Sequence, residues 1–72
     1  MPPTSRNPIT DPHPGDVIKL GTRLTVTVVA VGPDEVCCTA ASRGSGVIVN
    51  LAPSWAEWRK CAKEMVVQHA AD

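Results

Sequence analysis

Three cysteines, two histidines, an acidic pair and one glycine-rich turn are the residues of this 72-residue chain that could do chemistry. Cys37 and Cys38 are adjacent, and neighbours on a strand point to opposite faces, so the two cannot share a metal without distortion. A structural zinc needs four ligands, and beyond the cysteines there are only His13 and His69. We therefore expect no metal site, with Cys37, Cys38 and Cys61 serving as small buried or half-buried hydrophobes. Asp34-Glu35 follows Gly32-Pro33 and reads as a solvated loop tip rather than an acid/base dyad. Arg43-Gly44-Ser45-Gly46 lacks the glycine spacing and the lysine of a phosphate loop and reads as a hairpin turn. There is no Gly-x-Ser-x-Gly elbow and no zinc-protease helix. The expectation is a protein without catalytic residues or cofactor, hence not an enzyme.

Bulk properties narrow the alternatives. Seven basic and seven acidic residues cancel, which argues against a non-specific nucleic-acid binder with its basic stripe. An odd cysteine count, with no signal-peptide pattern and no run of membrane length, points to a reducing cytoplasm and no membrane association. A chain this short buries only about 60% of its unfolded surface, so its stability rests on few side chains.

The elements that must position these residues centre on Pro53–Lys63. This stretch holds both tryptophans, the only aromatic residues present. Ser54 is a natural N-cap, and Glu57 three residues on closes a capping box. Trp55, Trp58 and Ala62 recur at helical spacing, while Arg59, Lys60 and Lys63 fall late, where the helix dipole favours cations. The pattern predicts a short helix near 54–63 whose indoles plug a β-sheet.

Residues 1–14 carry five of the seven prolines and predict a flexible proline-rich arm whose last few residues lie against the domain. The domain, 15–72, opens at the turn Pro14-Gly15-Asp16. Val17–Leu20 reads as a first strand. Arg23–Val31 reads as a second, with Leu24, Val26 and Val28 alternating with Thr25 and Thr27. After the Gly32–Glu35 loop, Val36–Ala41 predicts a third strand and Val47–Leu51 a fourth. Beyond Lys63 the reading forks. Met65 and Val66 could extend the helical face, but two adjacent valines favour a fifth strand over 65–69, the reading adopted here. Ala70–Asp72 should fray.

The fold class that follows is mainly β: a small Src-homology-3-like barrel, or a curled antiparallel meander of four to five strands, with one short helix before the last strand. The expected core is Trp55, Trp58, Leu24, Val26, Val28, Val49 and Leu51. Candidate partner contacts are Arg59 and Lys60 on the open helix face and Arg43 in the third turn. Val29, Val31 and Ile48 are candidates to face outward and be buried by another subunit.

The spacing Asn7-Pro8…Pro12-His13-Pro14-Gly15-Asp16-Val17, followed by strands and then Trp55-Ala56-Glu57-Trp58-Arg59-Lys60-Cys61-Ala62, resembles a group of small bacteriophage and prophage proteins. These share a Pro-Gly-Asp-Val opening, a β meander, a Trp-x-x-Trp helix and a final β-like segment. The resemblance runs from about residue 7 to residue 68, and departs from the group at Cys37–Ala41, where the side chains are smaller and less polar. It implies a phage origin and a last strand, and transfers no catalytic residue. Together these readings predict a non-enzymatic binder of a host protein or protein complex, acting in the cytoplasm of the infected bacterium, with counter-defence such as inhibition of a CRISPR complex as one version. The alternatives are a nucleic-acid-binding barrel, for which the two tryptophans seem committed elsewhere, and a homo-oligomeric structural or nucleotide-sequestering protein.

Overall fold

The computed structural model describes residues 7–71. Residues 1–6 of the expected arm and the terminal Asp72 lie outside the described residues. Five strands form one antiparallel sheet: β1 (Val17–Leu20), β2 (Leu24–Val31), β3 (Val36–Ser42), β4 (Ile48–Leu51) and β5 (Met65–His69). A helix, α1 (Trp55–Cys61), continues through a 3₁₀ turn, Ala62–Glu64, into β5. The fork after Lys63 thus resolves in favour of the fifth strand, since the helix ends in one tight turn and Met65 already has extended backbone.

The sheet order is β4-β3-β2-β1-β5. It is an open, curled meander with β4 and β5 as its two edges, not a closed barrel. Consecutive hairpins build β1 to β4, and α1 then carries the chain back across one face, so that β5 joins β1. The β2·β3 ladder shifts register between Val28 and Ala30, leaving Val29 as the extra residue of a bulge.

Strand partners share a face, and one face is the core. Ile18 opposes Val26, Val26 opposes Ala40 and Val28 opposes Cys38. These residues, with Val36, Trp58 and Met65, are the buried apolar set. The alternation read in β2 therefore holds: Val26 and Val28 are buried and Thr25 and Thr27 only partly so. Leu24, at the strand's end, is half-buried.

Two expected core residues need correction. Val49 opposes Ala40 and Leu51 opposes Cys38, so both lie on the core face. Yet they are 46% and 45% exposed, because β4 is the outermost strand on its side and has a neighbour on one flank only. Trp55 is likewise half-buried, packed against the core from its margin rather than within it.

The arm also needs correction over residues 7–14. Asn7 starts a turn, its backbone carbonyl accepting from the N–H groups of Thr10 (3.0 Å) and Asp11 (2.7 Å). Pro8 and Pro12 are buried, and Ile9 packs against the core. The carbonyl of Ile9 accepts the indole N–H of Trp58 at 2.7 Å. An indole inside a core needs an acceptor for its N–H, and here the proline-rich segment supplies it. That segment is part of the domain.

Asp16 completes the closure. Its side chain is fully buried, and its carboxylate accepts from the backbone N–H of His13 (2.8 Å) and of Ala71 (2.7 Å). One carboxylate thus fastens the entry of the domain to its exit, and Ala71, expected to fray, is tied down. Gly15 makes this junction sterically feasible. Its φ is +95°, and an added Cβ would come within 3.1 Å of the Ala71 side chain.

Candidate interaction surfaces

The capping box forms as the sequence implies: the Glu57 N–H donates to Ser54 Oγ (3.2 Å) and the Ser54 N–H to Glu57 Oε1 (3.0 Å). These bonds favour the ionised carboxylate and hold Glu57 below the usual carboxylate range. The box fixes where α1 begins, and so where its two indoles point. Trp58 goes inward and is buried. Trp55 lies at the helix edge, with its N–H donating to the Gly32 carbonyl at 3.0 Å, which pins the ring over the β2–β3 turn.

A groove of about 450 Å³ results, walled by Ile9 and Thr10 of the N-terminal segment, Pro33 of the turn, and Trp55, Arg59 and Ala62 of the helical segment, with Trp58 also lining it. Arg59 is exposed here, as expected of a contact residue. Lys60 is also exposed on the last helical turn, but it does not line this groove. Arg43 is placed elsewhere, lining a separate hollow of about 230 Å³ with Lys19, Gly21, Thr22 and Leu24. The structure therefore splits the three expected contacts between surfaces. Ile9, Thr10 and Pro33 give no advance signal as contact residues, because their approach to α1 depends on the buried Trp58–Ile9 bond.

A second concavity, about 390 Å³ and mostly apolar, lies under the helix, with Leu20, Val26, Cys38, Leu51 and Met65 contributed by all five strands and Trp58 and Cys61 by α1. It is the inside of the curl, left partly open on the β4 side because α1 spans only seven residues.

The third surface is β4 itself. All four of its residues are exposed, with Ile48 at 67%. The ladder bonds that frame it, Ser42 N–H to Val47 O (3.1 Å) and Val36 N–H to Pro53 O (2.9 Å), set the alternation. Val47, Val49, Leu51 and Pro53 face β3 with their backbone groups, so Ile48, Asn50 and Ala52 direct theirs to the open edge.

The groups that could have carried chemistry are set up differently. All three cysteines are free thiols. Partial burial, together with the Glu35 carboxylate 3.6 Å away, raises the Cys37 thiol above its ordinary range, and burial raises Cys38. A raised thiol is a poor nucleophile near neutrality. Among the described residues no three His, Cys, Asp or Glu side chains converge as a metal site would require, and no helix there is long and apolar enough to cross a membrane. His13 instead faces Asp11, 3.4 Å from its carboxylate. No family model, no curated protein and no solved structure matches this chain.

Proposed function

We propose that the chain is a small, phage-encoded, non-enzymatic binding protein that occupies a host protein or protein complex in the cytoplasm of the infected bacterium, with counter-defence as its purpose. The observation that carries this reading is the convergence of a half-buried Trp55 and an exposed Arg59 on one groove of about 450 Å³. Tryptophan and arginine dominate the energetics of protein interfaces, particularly where a pocket removes them from water on binding. Trp55 is held by its bond to Gly32 and Trp58 by its bond to Ile9, so little ordering cost falls on the groove when a partner arrives. The partner chemistry that fits is an apolar side chain flanked by a carboxylate, the first seated between Pro33 and Trp55 and the second on Arg59. The phage context comes from the sequence resemblance.

Affinity capture from a lysate of the bacterial host, using the intact chain, tests this reading. One host protein retained at near-equal stoichiometry, lost with Arg59→Glu and retained with Lys19→Glu, supports it. Absence of a stoichiometric partner, or a partner indifferent to Arg59→Glu and Trp55→Ala, overturns it. A second reading, homo-oligomerisation, is favoured by a different observation: Val29, Val31 and Ile48 are 55%, 39% and 67% exposed.

A further inference from the structure

We propose that β4 is a self-association edge, on which two copies of this chain pair β4 to β4 in antiparallel fashion about a two-fold axis and join their five-stranded sheets into one. The backbone supplies the bonding. The N–H and C=O groups of Ile48, Asn50 and Ala52 face the open edge, as the alternation in the β3·β4 ladder requires. With the axis through Asn50, that residue exchanges both bonds with its own symmetry mate, and Ile48 of each copy pairs with Ala52 of the other.

The edge carries none of the devices by which solitary edge strands are protected. Monomeric proteins place lysine, proline, a bulge or an inward charge there. Residues 47–51 read Val-Ile-Val-Asn-Leu, and the β3·β4 register runs without a shift. The side chains are apolar on both faces: Ile48 on the outer, Val49 and Leu51 on the core side.

Charge identifies the partner as a second copy. The strand itself is uncharged, so an identical strand meets no repulsion, as a self-complementary two-fold contact demands. The ends of β4 differ in sign. At its start, Arg43 donates its N–H to the Arg23 carbonyl (2.8 Å) and shares a hollow with Lys19. At its finish, Glu35 bridges to Ser54, which is bonded to Glu57. Antiparallel pairing sets the cationic end of one copy beside the acidic end of the other, twice over. Parallel pairing would set like against like. The neutral total of the chain therefore conceals a dipolar layout along this edge that only an inverted copy of itself matches.

Sedimentation equilibrium of the full chain over a concentration series, at low and high salt, tests the proposal. The expected result is a monomer–dimer equilibrium that is tighter at low salt. Asn50→Pro removes one donor from the open edge and none from the β3 ladder, a position where proline is tolerated, and should weaken dimerisation at least about tenfold. Ile48→Lys, at an exposed position that folding does not need, should do the same if the proline variant fails to fold. Arg43→Glu should weaken the dimer, and adding Glu35→Arg to the same chain should restore it. Arg59→Glu should dimerise like the parent, which separates this surface from the groove. A chain that stays monomeric up to about 1 mM overturns the proposal, as does a dimer that Ile48→Lys leaves unchanged.

Discussion

Strands β2 and β4 have the same kind of sequence and opposite fates. Both alternate apolar residues onto the core face, and their core-face residues both oppose β3: Val26 against Ala40 and Val28 against Cys38 from one side, Val49 against Ala40 and Leu51 against Cys38 from the other. Val26 and Val28 are 4% and 1% exposed, whereas Val49 and Leu51 are 46% and 45%. Periodicity sets the face a side chain takes, because successive residues on a strand point opposite ways. It does not set burial, which depends on what lies beside and above the strand. β2 has a strand on each flank, while β4 is the last strand on its side. The interior strands and the edge therefore divide the labour, the first holding the domain together and the second left free to bind.

The sharpest way to break that comparison is at the helix that covers one strand and not the other. Trp58→Ala should cost about 3–5 kcal/mol, most of what a 72-residue chain possesses at about 0.05–0.15 kcal/mol per residue. Urea titration should find this variant largely unfolded already in buffer. The two isoleucines give a matched pair, since Ile18 is 0% and Ile48 67% exposed. Ile18→Ala should cost about 2–5 kcal/mol and Ile48→Ala within about 0.5 kcal/mol, measured at a concentration where the chain is monomeric. Equal losses would dissolve the distinction between interior and edge.

Smaller effects sharpen it. Asp16→Ala should cost about 1–3 kcal/mol, because it leaves the His13 and Ala71 N–H groups without their acceptor. Hydrogen exchange should show the loss at Ala71 and the end of β5 before it shows at β2 and β3. Ser54→Ala should cost about 1 kcal/mol by removing the cap, with the melting temperature as readout. The smallest effect is electrostatic. Glu57 is held below its unfolded value, so its contribution is present above that value and fades as the pH falls through the folded one. The difference in melting temperature between the parent and Glu57→Gln should accordingly be greatest near neutrality and vanish in acid.

Much of this architecture was legible in the residues. Ser54 and Glu57 announce the start of α1, since a hydroxyl and a carboxylate three positions apart can satisfy two orphan N–H groups wherever they occur. The strands at 17–20 and 65–69 follow from β-branched runs between turn residues, and the extra Val29 is the one irregularity that β2 conceals. The proline-rich stretch misled for a definite reason. Prolines withhold donors from a sheet, so residues 7–14 form no strand, but proline rings can still be buried, and the Ile9 carbonyl still serves as an acceptor. The groove was half legible: Arg59 could be nominated from its place on the helix, whereas Pro33 and Ile9 enter it through contacts across 23 and 49 positions of chain.

By itself, then, the sequence determined the local grammar of this protein: where chain direction changes, which side chains share a face, where the helix begins, and that its cysteines and acids lack the spacing of a reactive site. These are short-range matters, set by φ and ψ preferences, side-chain period and capping. Only the tertiary structure decided which apolar face is covered and which is left bare, that a buried aspartate joins the two ends of the domain, and that charges summing to zero are sorted to opposite ends of an open edge. Those outcomes depend on the order of strands in space, and sequence period carries no information about which strand will be last.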